Sequence, residues 1–171
     1  MKKKVIVING SGGAGKDTLC EMAGKHYKIM NVSSIDPIKK IAKDNGWNGD
    51  KSEKSRKFLA DLKALFVEFN DLPLKYLLEK YDVFKNGDEE IMFVHIREPK
   101  EIEKFKKEIG DNCYTLLIRG RAGARTEWNN HSDDAVENYD YDFCYENCKR
   151  LDEVEKDFVE FLQVNIANFI K

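Results

Sequence analysis

Residues 5–18 read Val5-Ile6-Val7-Ile8-Asn9-Gly10-Ser11-Gly12-Gly13-Ala14-Gly15-Lys16-Asp17-Thr18. A short β-branched run leads into a glycine-rich turn, and the turn leads into a lysine at the start of a predicted helix. This is the spacing G-x-x-x-x-G-K in the strand–turn–helix context that a phosphate-binding loop requires. Glycines let successive backbone N–H groups point at one anion, and the helix N-terminus adds positive charge. The stretch therefore predicts a loop that binds the phosphates of a nucleoside triphosphate.

The loop and its first helical turn are expected to make most of the contacts with that nucleotide. Lys16 is a mobile cation that can reach the outer phosphates. The residues predicted to bind the nucleotide here are Gly10, Gly12, Gly13, Ala14, Gly15, Lys16, Asp17 and Thr18.

Asp17 departs from the usual pattern, in which a Ser or Thr follows the lysine and holds Mg²⁺. The hydroxyl comes one place later here, at Thr18. A carboxylate beside a triphosphate repels it unless a metal ion lies between them or the carboxylate has another role. Asp17 is therefore either a metal ligand, together with Thr18, or a group that faces the acceptor substrate. The remaining interpretation is an acid that stabilises the first helical turn.

Length and composition limit the classes of protein that fit. A chain of 171 residues suits one domain, residues 1–171, with one sizeable core. The formal net charge of -2 argues against a nucleic-acid partner. The N-terminal apolar run is too short for a signal sequence or a membrane span, so we expect a cytoplasmic protein. Its expected partners are small-molecule nucleotides. A homodimer is compatible with these expectations.

The cysteines favour reduced thiols over a metal site or disulfides. None of them forms a Cys-x-x-Cys pair, and no histidine accompanies the two that lie closest in the sequence. The four are Cys20, Cys113, Cys144 and Cys148.

The apolar pattern alternates between strands and helices, which predicts an α/β protein. Such alternation implies a central parallel sheet of about five strands covered by helices on both faces, as in a three-layer P-loop kinase fold. Strands are predicted at residues 5–8, 27–32, 91–96, 114–118 and 141–145. Helices are predicted at residues 16–26, 36–44, 53–70, 73–81, 99–110 and 151–170, with a short one beginning at 132.

Two helices carry apolar residues at helical spacing, and each is expected to bury one stripe. The stripe of the helix at 53–70 comprises Phe58, Leu59, Leu62, Leu65, Phe66 and Phe69. The stripe of the last helix comprises Leu151, Val154, Phe158, Phe161 and Leu162.

Ligands of such sheets bind beyond the carboxyl ends of the strands. Arg97 follows the third predicted strand and offers a planar, bidentate fork for phosphate. Its alternative role is an ion pair with Glu101, one helical turn later. Arg56 either points into the same cleft and holds the acceptor's phosphate or belongs to a solvated lysine-rich face. His95 occupies a strand end where an acid would organise Mg²⁺, and a packed, hydrogen-bonded histidine is favoured over a base.

An arginine-rich, glycine-containing segment follows the fourth predicted strand. Arg119, Arg121 and Arg125 lie within it. A lid-like loop at residues 119–131 could close over transferring phosphates, neutralise their charge and exclude water. The alternative is an ordinary solvated loop.

Over nearly its whole length the chain resembles the deoxynucleoside monophosphate kinases of phage and bacterial type, within the P-loop nucleoside monophosphate kinase superfamily. The phosphate loop is the specific part of the resemblance, and weaker stretches follow in the family's order. The stretches are Gly15-Lys16-Asp17-Thr18, Ile35-Asp36-Pro37-Ile38-Lys39, Lys54-Ser55-Arg56-Lys57-Phe58-Leu59, Arg97-Glu98-Pro99-Lys100-Glu101, His131-Ser132-Asp133 and Asp142-Phe143-Cys144-Tyr145-Glu146-Asn147.

The resemblance implies ATP-dependent phosphorylation of a nucleoside or deoxynucleoside monophosphate with Mg²⁺. It places the acceptor in the helical region 36–86, with contacts near Asp36, Arg56 and Arg97, and the adenine edge near Asn147. Arg119 would contact ATP from the lid. The catalytic residues would be Lys16, Asp17, Arg97, Arg121 and Arg125. One departure is His95, where relatives tend to carry an acid.

Other functions fit parts of the pattern. Dephospho-CoA kinases and animal-type phosphomevalonate kinases share the layout, so another small phosphorylated acceptor is an alternative. A GTPase-like switch is disfavoured because no Asn-Lys-x-Asp stretch and no Asp-x-x-Gly stretch after a strand are present. A module that binds ATP without turnover is the third hypothesis, and it is suggested by the missing strand-end acid.

Overall fold

The computed structural model describes residues 3–120 and 136–166, in which five strands alternate with six helices. The elements in chain order are β1 (Lys4–Asn9), α1 (Lys16–Ala23), β2 (Ile29–Ser33), α2 (Asp36–Asp44), α3 (Glu53–Asn70), α4 (Leu72–Asn86), β3 (Ile91–His95), α5 (Pro99–Ile109), β4 (Cys113–Arg119), β5 (Phe143–Glu146) and α6 (Leu151–Asn165).

The strands form one parallel sheet in the order β2-β3-β1-β4-β5. At the carboxyl end of β1, Ile8 lies beside His95 of β3 and Leu116 of β4. The glycine-rich loop therefore leaves the sheet at its central strand. The predicted α/β fold class, with a five-stranded parallel sheet between helices, is confirmed.

The central strand β1 has apolar side chains on both faces, as a strand covered by two helical layers should. Ile6 and Ile8 belong to a buried cluster with side chains of α1 and α6. Val5 and Val7 belong to a second cluster with side chains of α4 and α5. The alternation of side chains along one strand thus places a core on each side of the sheet.

Helices α2 and α3 share a smaller core of their own. Ile38 and Ala42 of α2 pack with Leu59 of α3, and Trp47 covers them from the connecting loop. These helices belong to the region that the sequence assigns to the acceptor.

Local signals account for most helix ends. Ser52 caps α3, because its hydroxyl accepts a hydrogen bond from the Ser55 N–H at 3.2 Å. Asp71, in the left-handed conformation with φ 53°, ends α3 and precedes α4. Gly24 ends α1 at Ala23, three residues before the predicted end. Helix α4 runs past the predicted residues 73–81, and α6 is described as far as Asn165.

The predicted buried stripe of α3 is wrong for three of its six residues. The side chains of Phe58, Leu65 and Phe69 are 45%, 63% and 81% exposed. The face that α3 buries instead carries Ser55, Leu59 and Lys63. Apolar spacing gives the helical period, but the ion pairs of Lys63 with α5 help to decide which face turns inward.

In α6 the predicted stripe is wrong at its first residue. Leu151 is 74% exposed, because it lies at the start of the helix beyond the cluster that the later residues join. Within residues 3–120 and 136–166, the helices fall short of the length and apolar character that crossing a membrane requires.

Candidate active site at the carboxyl edge of the sheet

The glycine-rich loop has a backbone that only glycine adopts readily. Gly13 and Gly15 have φ values of 81° and 90°, in the left-handed region. A Cβ on Gly10 would lie 2.4 Å from the carbonyl oxygen of Ile118, and one on Gly15 would lie 2.5 Å from Asn147 Nδ2. The loop therefore lies tightly against the ends of β4 and β5, in the form expected of a phosphate cradle.

Lys16 points back into this loop. Its Nζ donates hydrogen bonds to the carbonyl oxygens of Gly10 at 2.5 Å and Ser11 at 3.0 Å. Burial, followed by the positive charge of Arg97, lowers the pKa of Lys16 to about 8. A phosphate in the loop would offer this amine an anionic partner in place of two neutral carbonyls.

Asp17 and Thr18 are exposed on the first turn of α1. The Asp17 side chain is 88% exposed, and its Oδ1 lies 4.0 Å from Nε2 of His95. The described residues contain no cluster of three or more His, Cys, Asp or Glu side chains that could hold a metal ion. Mg²⁺ on a nucleotide commonly takes only one or two protein oxygens and completes its shell with phosphate and water. The Asp17 carboxylate and the Thr18 hydroxyl fit that modest requirement.

His95 is packed behind the loop at the end of β3. Its Nε2 lies 2.8 Å from the amide oxygen of Asn31 and 4.0 Å from the sulfur of Cys20. Burial lowers the pKa of His95 to about 4, against the opposing charge of Asp17. The ring is therefore neutral near pH 7, and it does not supply the negative charge of a strand-end acid.

Arg97 lies just beyond β3, close enough to Lys16 for its charge to contribute to the lowered pKa of that amine. Its backbone carbonyl accepts a hydrogen bond from Asn9 Nδ2 at 3.1 Å. Burial lowers the pKa of Arg97, Glu98 opposes that shift, and the positive charge of Arg56 adds to it. Arg56, exposed on α3, is therefore close enough to influence Arg97 electrostatically.

The acid that could have paired with Arg97 has a cationic partner from α3. Glu101 Oε2 lies 2.7 Å from Nζ of Lys63, and Glu98 Oε2 lies at the same distance from that nitrogen. The pairing of Glu101 with Lys63 favours the interpretation of Arg97 as an anion-binding residue.

Asp36 holds the turn between β2 and α2. Its Oδ2 accepts a hydrogen bond from the Ser33 N–H at 2.7 Å. Burial raises the pKa of Tyr76, and the charge of Asp36 and a hydrogen bond to it add to that rise. The predicted contact of Asp36 with an acceptor stays a prediction.

Asn147 and Arg119 lie on the other side of the loop. The side-chain Nδ2 of Asn147 donates a hydrogen bond to the carbonyl oxygen of Ala14 at 2.9 Å. The backbone N–H of Asn147 donates to the carbonyl oxygen of Arg119 at 2.7 Å. The guanidinium of Arg119 pairs with Glu137 at 3.0 Å and with Glu146 at 3.4 Å. Asn147 thus touches the phosphate loop, while its adenine contact stays a prediction.

The two other arginines assigned to the lid, Arg121 and Arg125, lie outside the described residues, as does the predicted short helix at 132. Their catalytic roles and the lid itself stay predictions.

Sequence reasoning missed two supporting residues, Asn9 and Lys63. Asn9 Oδ1 accepts from the Gly10 N–H at 2.9 Å, and its Nδ2 donates to the Tyr141 hydroxyl at 2.7 Å. That hydroxyl donates in turn to the carbonyl oxygen of Val136 at 2.8 Å. A polar residue ending an apolar strand before glycines was a usable signal for Asn9, whereas no local signal distinguished Lys63 from the other lysines of α3.

No protein-family model matches this chain, and no curated protein matches it in sequence. Solved structures do match its fold. TT1252 from Thermus thermophilus is 17% identical with a TM-score of 0.52, and the match covers 96% of this chain and 98% of that one. A sugar kinase from a Janibacter species is 13% identical with a TM-score of 0.52, and the match covers 98% of this chain and 95% of that one.

At these identities the likeness shows the fold, and the glycine-rich loop specifies its type. The chain has a P-loop kinase fold, with the loop on the central strand of a five-stranded parallel sheet. The acceptor has to be argued from the residues of the cleft.

Proposed function

We propose that this protein transfers the γ-phosphoryl group of ATP to a phosphomonoester, and that the acceptor is a nucleoside or deoxynucleoside monophosphate. The observation that carries the proposal is the grouping of three cations at one cleft. Arg97 lowers the pKa of Lys16, and Arg56 lowers that of Arg97. Lys16 serves the donor triphosphate, and the two arginines provide charge for a second phosphate opposite it.

The neighbouring groups support a phosphate oxygen as the nucleophile. A phosphomonoester is already ionised near pH 7, whereas an alcohol needs a general base to accept its proton. Two candidate bases near the loop are engaged elsewhere, His95 with Asn31 and Glu98 with Lys63, and this proposal assigns the third, Asp17, to Mg²⁺. The three cations suit a dianionic acceptor better than a neutral sugar.

The remaining predicted residues have consistent roles in this proposal. Mg²⁺, held by Asp17 and Thr18 together with the triphosphate, would neutralise charge on the phosphates. Asn147 would border the adenine, because it contacts the loop backbone at Ala14. Arg119 would move from its pairs with Glu137 and Glu146 toward ATP when substrates bind. Arg121 and Arg125 are proposed to neutralise the transferring group from the lid.

A coupled assay of ADP release tests this function. The panel contains the common ribo- and deoxynucleoside monophosphates and 5-phosphomevalonate as phosphomonoesters. Dephospho-CoA, nucleosides and shikimate are the acceptors that react at a hydroxyl group. We expect turnover with one or more nucleoside monophosphates. Turnover with 5-phosphomevalonate alone would keep the phosphomonoester and reject the nucleotide. Turnover with only alcohols, or ATP binding without any turnover, would contradict the proposal.

The variant Arg56→Gln sharpens the assay. It should raise the KM for the acceptor and leave the KM for ATP unchanged, because Arg56 lies across the cleft from the loop. Lys57→Gln is the matched control, since it removes a neighbouring exposed charge that pairs with Asp61 at 2.5 Å. Equal effects of the two variants would mean that only the general charge of α3 matters.

A further inference from the structure

Lys63 is a buried lysine near the middle of α3, only 6% exposed. Its Nζ lies 2.7 Å from Glu98 Oε2 and 2.7 Å from Glu101 Oε2. A buried ammonium group is tolerated only when it is paired and hydrogen-bonded. Both partners lie at the start of α5, so Lys63 joins α3 to the segment that directly follows Arg97.

The main chain at Arg97 is held from two directions. On one side its carbonyl oxygen accepts the hydrogen bond from Asn9 at the end of β1. On the other side, the next residue, Glu98, is bound by Lys63. The arginine that faces the cleft is therefore held between the phosphate-loop strand and α3.

The same bridge controls the position of the second arginine. Arg56 lies about two helical turns before Lys63 and hence on the same side of α3. Because Lys63 anchors α3 to α5, it sets the separation between Arg56 and Arg97. Burial is the main cause of the lowered pKa of Arg97, and the like charge of Arg56 contributes to it. The ion pairs of Lys63 hold α3 and α5 together against that repulsion.

Lys63 also limits what Glu98 can do. Glu98 is the acid whose charge acts most strongly on Arg97. While Lys63 binds the Glu98 carboxylate, that carboxylate is directed toward α3. Without Lys63, the charge of Glu98 would no longer be shared with α3 and would compete more strongly with an anionic ligand for Arg97.

We propose that Lys63 is a positioning residue for the phosphate of the acceptor. It holds α3 against α5 and binds one carboxylate oxygen of Glu98, so that Arg56 and Arg97 act on one dianionic phosphomonoester. This inference rests on the proposed function and assigns a role to a residue that touches no substrate.

The first test compares Lys63→Met with Lys57→Met, which removes the same charge from an exposed position on the same helix. Lys63→Met should raise the KM for the nucleoside monophosphate about tenfold, since small misplacements of binding groups are costly, and leave the KM for ATP unchanged. Lys57→Met should change neither. An unchanged acceptor KM in a folded Lys63→Met protein overturns the proposal.

Two further variants separate positioning from simple support of the fold. Glu98→Gln added to Lys63→Met should recover part of the lost acceptor affinity, because the competing charge is gone. In a double-mutant cycle, Lys63→Met should cost little in an Arg56→Ala background, since the residue it positions is absent. If Lys63→Met and Arg56→Ala lowered acceptor affinity additively, or if Lys63→Met weakened ATP and acceptor binding equally, Lys63 would have only a structural role. Lys63→Gln, which also removes the charge, replaces Lys63→Met if the latter does not fold, with the same expected results.

Amide hydrogen exchange without substrates reports on the bridge itself. Lys63→Met should speed exchange in residues 98–105 and leave the loop residues 10–16 unaffected. Unchanged exchange in an active Lys63→Met protein contradicts the bridge, while the proposed function stands. If wild-type protein phosphorylates no monoester, the proposed function fails, and the acceptor role of Lys63 fails with it, whatever the exchange result.

Discussion

In the glycine-rich loop, the groups expected to meet ATP follow one another along the chain, from Gly10 to Lys16. Across the cleft, the groups expected to meet the acceptor come from separate elements: Arg56 from α3, and Arg97 from the end of β3. The loop is held largely by residues within and beside it, since Lys16 donates to the Gly10 and Ser11 carbonyls and Asn9 accepts from the Gly10 N–H. The acceptor side depends on ion pairs between helices distant in sequence, above all those of Lys63.

Because of this difference, we expect a substitution on one side of the cleft to affect mainly the ligand that binds there. Changes in the loop should affect ATP and the chemical step, whereas changes across the cleft should affect the acceptor alone. Separate measurements of ATP and acceptor use therefore show whether the two sides act independently.

Lys16→Ala should have the largest effect. Removing the amine takes away the cation that stabilises the transferring group, so we expect kcat/KM to fall about a thousandfold. Thermal unfolding should change little, because the side chain bonds only to loop carbonyls. Lys25→Ala, on an exposed lysine just after α1, is the control. Wild-type turnover in Lys16→Ala would remove the loop from the mechanism.

Gly10→Ala should destabilise the protein more than Gly13→Ala. A Cβ at Gly10 would meet the backbone of Ile118 at 2.4 Å, whereas a Cβ at Gly13 would find no heavy atom within 4 Å. We expect the free energy of unfolding to fall by about 3 kcal/mol for Gly10→Ala and by about 1 kcal/mol for Gly13→Ala, which carries only the backbone strain. Chemical denaturation measures both, and equal losses would mean that the contact with β4 is unimportant.

Arg97→Lys should damage use of the acceptor although the charge is kept. A point charge replaces a bidentate fork, so one charge-assisted hydrogen bond is lost and the acceptor KM should rise about thirtyfold. ATP affinity, measured by calorimetry, should stay unchanged. Parallel losses for ATP and acceptor would indicate that the two sides of the cleft are not separate.

ATP affinity should fall as the pH rises above neutrality. In the free protein the pKa of Lys16 is about 8, chiefly because of burial. Its charged form binds phosphate, so the protonated fraction decides the affinity and ATP binding takes up a proton above that pKa. Between pH 7 and 9 the affinity should fall about tenfold, which titrations at each pH would measure. Lys16→Arg should flatten the profile, and a flat wild-type profile would contradict the assignment.

Asp17→Asn should have the smallest effect. The carboxylate is 88% exposed, so solvent screens its charge. We expect kcat to fall about fivefold and ATP affinity to stay constant, because the backbone donors remain. Unchanged rates would reduce Asp17 to an acid that stabilises the first turn of α1.

The loop was predictable because its information is local. Spacing, the glycines and the preceding apolar strand lie within residues 5–18, and each constrains its neighbours directly. The helix at Glu53–Asn70 was also predicted at its observed bounds, because apolar residues recur along it at helical spacing. The alternation of strands and helices was enough for the parallel sheet.

On the acceptor side, the sequence suggested candidate residues but did not predict how the helices that carry them pack. Helical spacing suggested that Phe58, Leu65 and Phe69 would be buried, yet all three are exposed. The helical period determines which residues share a face of a helix, but contacts with other helices and strands determine which face is buried.

The sequence by itself determined the α/β fold and the position of the glycine-rich loop that ends at Lys16. Only the tertiary structure decided that Lys63 joins α3 to α5 and that Arg56 and Arg97 influence each other across one cleft. The physical reason is that backbone conformation responds to adjacent residues. A buried ion pair instead depends on the packing of whole helices, which brings together charges far apart in the chain.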